Sequence, residues 1–236
     1  MSRQPLLAFD FDGTLAPITP RPEETFLTGE NARSMKQLAR DATVAVISGR
    51  SRSDLLNRMG FEPRYVIGNH GMEGVPGWRR NARTARKLCR EWLSQLGDPC
   101  AAGVFFEDKI YSLSLHYRLA DRRSMARERM LKKIKVLSPA PRVIPGKFVL
   151  NLMPFEAPDK GKALREIMNK SGRSAALFVG DDVTDEDVFR LSDRGILSVR
   201  VGRSSRSRAR FYLRNQEQVK DLLRFLLVRQ KASIHG

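Results

Sequence analysis

The sequence predicts an α/β chain whose parallel sheet, flanked by helices on both faces, is interrupted by a smaller α+β insertion. Three observations predict it. Short β-branched runs alternate with helical segments toward both ends of the chain, the pattern of strands buried on two faces. From about Trp78 the pattern changes to helix, two strands, helix, two strands. Acids, glycines and small polar residues recur where the predicted core strands stop, which is where ligands bind in open parallel sheets. The core is therefore read as doubly wound and Rossmann-like, residues 1–77 and 155–236, with an inserted cap domain at 78–154.

The first strand is Leu6–Phe9, stopped by the turn at Gly13. Residues 16–28, rich in Pro and Thr, read as a loop and a candidate flap over the aspartates before it. A helix at about 30–40, with Met35, Leu38 and Ala39 inward, leads to the strand TVAVIS at 43–48. A helix through Leu55, Leu56 and Met59 precedes the strand RYVIG and then Asn69-His70-Gly71. In the insertion, a basic amphipathic helix covers about 80–96, and residues 103–118 read as a hairpin with its tip near Glu107-Asp108-Lys109. Its second arm alternates Tyr111, Leu113, Leu115 and Tyr117 with Ser112, Ser114, His116 and Arg118, so one face is expected buried and the other wet. A helix at about 121–136 and an extended segment from Arg142 to Met153, with Phe148, Leu150 and Leu152 on one side, complete it. The core resumes with a helix opened by Lys160-Gly161 and the strand AALFVG at 175–180. Asp181-Asp182 follow, and Thr184–Asp187 open another helix. The strands ILSVRV and ARFYL and a helix at about 217–228 close the chain, with KASIHG frayed.

Composition narrows the function. At 236 residues and 41% apolar content the chain builds a real core and is not disordered. No apolar run spans a bilayer, and Asp10 and Asp12 interrupt the one apolar segment near the amino terminus, so a cytoplasmic protein is expected. Cys89 and Cys100 are expected as reduced thiols. A net charge of +17 favours anionic substrates. It is spread over three clusters, at 79–90, 122–135 and 200–210. The first two lie on helices whose apolar positions face inward, so they read as solvated faces and a nucleic-acid function is not expected.

Asp10 and Asp12 stand two apart at the end of a buried strand, where their repulsion and desolvation call for a cation between them. Mg²⁺ is the hard cation suited to one or two carboxylates, waters and a phosphate. Asp10 is then the nucleophile that takes the phosphoryl group, and Asp12 the acid and base. The rival reading is a strand end that uses Asp and Gly only to turn.

Four pieces converge on one side of the sheet: DFDGT at 10–14, SGR at 48–50, DKG at 159–161 and GDDVTDED at 180–187. Their order resembles the four motifs of the haloacid dehalogenase superfamily of phosphohydrolases, in its α/β-capped branch, over the whole chain. ISGRS, GNHGME, EDKIYSLSLHYR, DKGKAL and GDDVTDEDVF carry a closer resemblance to the trehalose-6-phosphate phosphatase family. The resemblance implies Mg²⁺ on the side chains of Asp10 and Asp181 and on the backbone carbonyl of Asp12. Asp185 and Asp182 would hold metal-bound waters or Lys160 from behind. Ser48 and the Gly49 amide donate to a phosphate oxygen, and Lys160 neutralises the phosphate in preference to the nearby Lys162. Arg50, Asn69 and His70 at the same strand ends are further substrate contacts, although His70 also reads as a plain cap of its strand. Asp182, Glu186 and Asp187 also suit a helix start electrostatically. Glu107, Lys109 and Arg118 are implied as sugar contacts. Asn151 and Met153 stand where the family carries Glu and a basic residue, which leaves Asn151 a neutral hydrogen bond to the sugar.

The expected function is Mg²⁺-dependent hydrolysis of a sugar phosphate, trehalose 6-phosphate first. The alternatives are another phosphosugar such as mannosyl-3-phosphoglycerate or sucrose phosphate, a silent module bound to a trehalose-6-phosphate synthase partner, and a basic nucleic-acid binder.

Overall fold

Apolar runs that the sequence marks as strands pair in the computed structural model, which describes residues 4–19, 21–99 and 102–234. In chain order the elements are β1 (Leu6–Phe9), α1 (Gly29–Asp41), β2 (Val44–Ile47), α2 (Arg52–Met59), β3 (Tyr65–Ile67), α3 (Arg79–Leu96), β4 (Phe105–Asp108), β5 (Leu113–His116) and α4 (Arg123–Lys135). There follow β6 (Arg142–Gly146), β7 (Val149–Met153), α5 (Lys160–Ser171), β8 (Ala176–Gly180), α6 (Glu186–Phe189), β9 (Ile196–Val201), β10 (Phe211–Leu213) and α7 (Gln218–Ile234). The chain divides into two compact units, Met1–Pro76 with Pro158–Gly236, and Gly77–Ala157.

The larger unit holds a six-stranded sheet in the order β10-β9-β8-β1-β2-β3, every neighbouring pair parallel. From β1 the chain builds one side through β2 and β3 and the other through β8, β9 and β10, so the switch point lies between β1 and β8. β1, β2 and β8 are buried at every position, as strands covered on both faces must be. Local chemistry sets the helix ends. Ser51 accepts the Asp54 amide to start α2, Asp159 accepts the Lys162 amide to start α5, and Gly60 and Gly172 end them in left-handed backbone.

The smaller unit is an antiparallel sheet in the order β4-β5-β7-β6. Leu113, Leu115, Leu150 and Leu152 pack with Cys89, Trp92 and Leu96 of α3 and Ala126, Met130 and Ile134 of α4, so both helices cover one sheet face. Trp92 is fully buried and donates its indole N–H to the Pro139 carbonyl at 2.6 Å. Burial pushes the Cys89 thiol up to about 12, which leaves it inert as a thiolate; Cys100 lies outside the described residues.

Several details differ from the sequence reading. The hairpin turns at 109–112, because the Lys109 amide pairs with the Ser112 carbonyl and the Ile110 amide with the Asp108 carboxylate. Ser112 and Ser114 on the face expected wet are buried; Ser114 Oγ donates to Asn151 Oδ1 at 2.6 Å, which replaces water as its partner. Phe148 sits in the β6–β7 turn at φ 63° and not in a strand. Thr184–Asp187 do not open a full helix: Val183–Asp185 form a 3₁₀ turn, and α6 has only four residues. The closing helix runs on to Ile234, with Gln230 bonded to Gln4 and to the Asp41 carbonyl, so the residues expected frayed are helical up to that point. The segment expected as a flap is pinned. Arg58 donates to the Glu23 and Thr25 carbonyls and Arg50 to that of Pro22, while Pro20 lies outside the described residues.

Both tryptophans of the chain, Trp78 and Trp92, lie in the smaller unit. Trp92→Ala should therefore cost that unit about 3–5 kcal/mol. Denaturant unfolding followed by the remaining Trp78 fluorescence measures it; a loss below about 1 kcal/mol would show that Trp92 does not hold this core.

Candidate active site

At the switch point each of two adjacent strands delivers an aspartate. Asp10 follows β1, is 4% exposed and donates its amide to the Val179 carbonyl at 2.8 Å. Asp181 follows β8, and its Oδ1 accepts from Thr14 Oγ1 at 3.4 Å. The loops approach so closely that a Cβ on Gly13, at φ +78°, would stand 2.2 Å from Asp181 Oδ2. This is the reason for glycine in the DGT turn. The fully buried Lys160, at the start of α5, donates Nζ to Asp10 Oδ1 and to Asp185 Oδ1, both at 2.8 Å. Lys162 is exposed. Asp185 uses its other oxygen to accept the amides of Asp181 and Asp182 at 2.8 and 2.9 Å. Asp182 caps the following 3₁₀ turn through a reciprocal box with Asp185.

Carboxylate oxygens of Asp10, Asp181 and Asp185 lie within 4.8 Å of one another. Burial pushes the Asp10 pKa well above the carboxylate range; Lys160 opposes this, while Asp185 and Asp181 add to it. Burial, then Asp185 and Asp182, raise Asp181 to about 7. Burial works against the Lys160 charge, but Asp10 and Asp185 outweigh it and hold its pKa above the ordinary lysine value. Three carboxylates against one ammonium leave the pocket short of positive charge, and an all-oxygen donor set fits a hard divalent cation.

Asp12 is turned elsewhere. Arg50 grips its carboxylate with Nε and Nη2 at 2.7 and 2.6 Å, and gives Nη1 to Asp54 at 2.8 Å. Arg58 Nε holds Asp54 from the other side at 2.8 Å. Burial disfavours the Arg50 charge, yet Asp12 and Asp54 keep it firmly protonated. Arg50, expected among the substrate contacts, is thus occupied by two carboxylates and the Pro22 carbonyl. Asp12 is expected from the sequence to reach the metal through its backbone carbonyl, and its carboxylate stands outside the cluster, in which Asp185 is the third side chain. Sequence reasoning missed Asp54 and Arg58, although Arg50, Asp54 and Arg58 follow one another at four-residue spacing with alternating sign, a legible signal.

The remaining candidates sit around the ends of β2 and β3 and within the smaller unit. Ser48 is buried, with its Oγ 3.3 Å from the Arg50 amide. Gly49 packs against His70, whose ring a Cβ would meet at 2.5 Å. Asn69 and His70 both adopt left-handed backbone, at φ 50° and 56°, a strain that clusters at functional sites. Glu73, which sequence reasoning also passed over, fixes that turn by accepting Asn69 Nδ2 at 3.0 Å and the Arg52 amide at 2.7 Å. In the smaller unit Glu107 Oε2 meets His116 Nε2 at 2.8 Å and Lys109 Nζ at 3.7 Å, while Arg118 reaches the Lys147 carbonyl at 3.5 Å. Asn151 is 5% exposed, and its amide is engaged by Ser114 and by the Ile144 carbonyl at 3.2 Å.

A parallel sheet with an acid cluster and a buried lysine at its switch point defines a protein of the haloacid-dehalogenase-like class. The sequence profile described as Trehalose-phosphatase matches residues 8–216. The chain belongs to the trehalose-phosphatase family. It is 32% identical over 259 residues to a probable trehalose-phosphate phosphatase of Oryza sativa subsp. japonica, covering 92% of this chain and 68% of that protein. It is 31% identical over 203 residues to a trehalose-phosphate phosphatase of Mycobacterium tuberculosis, covering 80% of this chain but only 51% of that one. The chain thus spans about half the length of its mycobacterial relative. In fold it matches the C-terminal domain of the C. albicans trehalose-6-phosphate phosphatase with a TM-score of 0.75 at 23% identity, over 95% of this chain and 93% of that one.

The charge shortage has a pH signature. Asp10 and Asp181 titrate above the unfolded carboxylate value of about 3.9, so the folded state binds protons more readily than the unfolded one. Their share of stability is present below about pH 4 and is lost as pH rises toward 7. In metal-free protein, melting temperature measured from pH 5 to 8 should therefore fall more steeply in wild type than in Asp181→Asn. Parallel curves would remove the charge conflict assigned to this pocket.

Proposed function

We propose that the chain hydrolyses a sugar phosphate with Mg²⁺, and that trehalose 6-phosphate is the substrate. The observation that carries the reading is the buried Asp10 carboxylate at the switch point, with Lys160 on one oxygen and Asp181 beside it. Lys160 occupies Asp10 Oδ1 and so leaves Oδ2 to attack phosphorus. That attack forms the Asp10–phosphoryl bond and breaks the bond from phosphorus to the sugar oxygen. Asp12 delivers a proton to the departing oxygen, for which it must exchange the Arg50 guanidinium for the substrate. It then takes a proton from water as that water attacks phosphorus, releasing phosphate and restoring Asp10. Asp10 and Asp181 would hold the Mg²⁺, which would supply positive charge to the phosphoryl oxygens, while Asp185 holds the Asp181 and Asp182 amides and shares Lys160 with Asp10. Lys160 supplies the same neutralisation from the protein side, and Ser48 and the Gly49 amide orient the phosphate.

Glu107, Lys109 and Arg118 of the smaller unit, acting as a cap, are the sugar contacts in this reading. Its setting is cytoplasmic, in keeping with the absence of any described helix long and apolar enough to cross a membrane. A trehalose-6-phosphate synthase is the partner that would supply the substrate. A second reading, another phosphosugar, is favoured by Asn151, whose amide is engaged within its own sheet.

A phosphate-release screen over trehalose 6-phosphate, sucrose 6-phosphate, mannosyl-3-phosphoglycerate and glucose 6-phosphate with Mg²⁺ tests the substrate. Trehalose 6-phosphate should give the highest kcat/KM, and a higher value for another member of the panel would replace it. Asp10→Asn should lower turnover by about three decades or more while the protein still melts cooperatively. Turnover near wild type would reject Asp10 as the nucleophile.

A further inference from the structure

More than half of the net charge of +17 belongs to the smaller unit. Residues 77–157 carry 17 Lys and Arg against 7 Asp and Glu, a net of +10 in about a third of the chain. Most of it stands on two helices. α3 and α4 each hold six basic residues and one glutamate. Lys133 Nζ of α4 donates to the Leu96 and Asp98 carbonyls at the carboxyl end of α3, tying the helices together. Their apolar sides are spent on the sheet, so the basic side of each faces outward.

Three features separate this surface from an ordinary solvated one. Arg79, Arg83, Arg86 and Arg90 follow at helical spacing, one guanidinium per turn along a stripe of about 16 Å. All four are exposed, as are Arg80 and Lys87 beside them. The charges also oppose the fold. Neither helix has an acid in its first turn or a side-chain cap, and α3 opens on Arg79-Arg80 and α4 on Arg122-Arg123, cations at the positive end of each dipole. Third, the salt bridge recorded on these helices is Lys87 with Glu91, at 3.6 Å. Like charges so placed repel one another, and an external anion relieves them.

We propose that the outward faces of α3 and α4 form a docking surface for the backbone of a duplex nucleic acid, bound without sequence preference. The guanidinium stripe of α3, with the mixed Arg and Lys of α4 beside it, matches a dense, regular array of phosphates, and arginine takes phosphate through two donors at once. No aromatic side chain is exposed on either helix, since Trp92 is buried, so the stacking that holds single strands is missing. The apolar sides of both helices are inside the unit, so neither has a face to insert into a lipid bilayer. A rigid duplex that presents only phosphates is the polyanion these two absences leave.

The test is fluorescence anisotropy of a labelled 20-base-pair duplex titrated with the full chain. Four to six phosphate contacts make affinity fall about 10²–10³-fold between about 50 and 200 mM salt. Arg83→Gln, Arg86→Gln and Arg90→Gln together should weaken binding at least tenfold and flatten the logarithmic salt slope by about 2–3, with the melting temperature unchanged or raised. Arg203→Gln, Arg206→Gln and Arg208→Gln, in the other basic stretch, should leave binding within about threefold. Absence of duplex binding at low salt would overturn the proposal. So would equal losses in the two triple variants, tighter binding to a single strand, or binding to phosphatidylglycerol vesicles in preference to the duplex.

Discussion

The larger unit depends on burying one ammonium group between two carboxylates. Lys160 Nζ is held by Asp10 and Asp185 with almost no exposure on any of the three side chains. Such an arrangement is a poor source of stability, because the desolvation of three charged groups offsets most of their attraction. Its consequence is positional. Asp10 comes from the end of β1, Lys160 from the start of α5 and Asp185 from the turn after β8. All three elements must arrive within hydrogen-bond reach, or an unpaired charge is left inside. The glycines beside the site follow from the same convergence. A side chain on Gly13 would strike Asp181, and one on Gly180 would strike Asp185 at 2.3 Å.

A second ionic chain runs from the site to the surface. Asp12, Arg50, Asp54 and Arg58 alternate in sign, and the two arginines also hold the carbonyls of Pro22, Glu23 and Thr25. The loop after β1 is therefore fastened to α2 by the residues that hold the Asp12 carboxylate. Asp54 shows the pairing: burial alone would raise its pKa, and Arg58 and Arg50 together bring it below the ordinary value. In this part of the protein charge is enclosed and matched. On α3 and α4 it is exposed and largely unmatched, so those helices contribute to the net +17 while the enclosed chain, two acids against two bases, contributes nothing.

Much of the fold was legible in the sequence because its signals are local. The fully buried runs at β1, β2 and β8 appear as unbroken apolar stretches, and a strand buried on both faces can be written no other way. Ser51, Asp159, Gly60 and Gly172 mark helix ends through contacts within a few residues. Asp10, Ser48 and Asp181 could be placed at one edge of the sheet because every parallel strand ends on the same side.

Tertiary structure alone decided which partner each polar group took. Asp12 and Arg50 are 38 residues apart, Ser114 and Asn151 are 37, and Lys160 and Asp10 are 150. Nothing in a local pattern says that Arg50 will grip Asp12 or that the Asn151 amide will turn to Ser114. The length of α7 was hidden for the same reason, since Gln230 is secured by residues almost the whole chain away. Hydrophobic periodicity specifies which face of an element is buried. The choice among partners is made only once packing has brought the elements together, because a buried polar group must pair with whatever lies within about 3 Å of it.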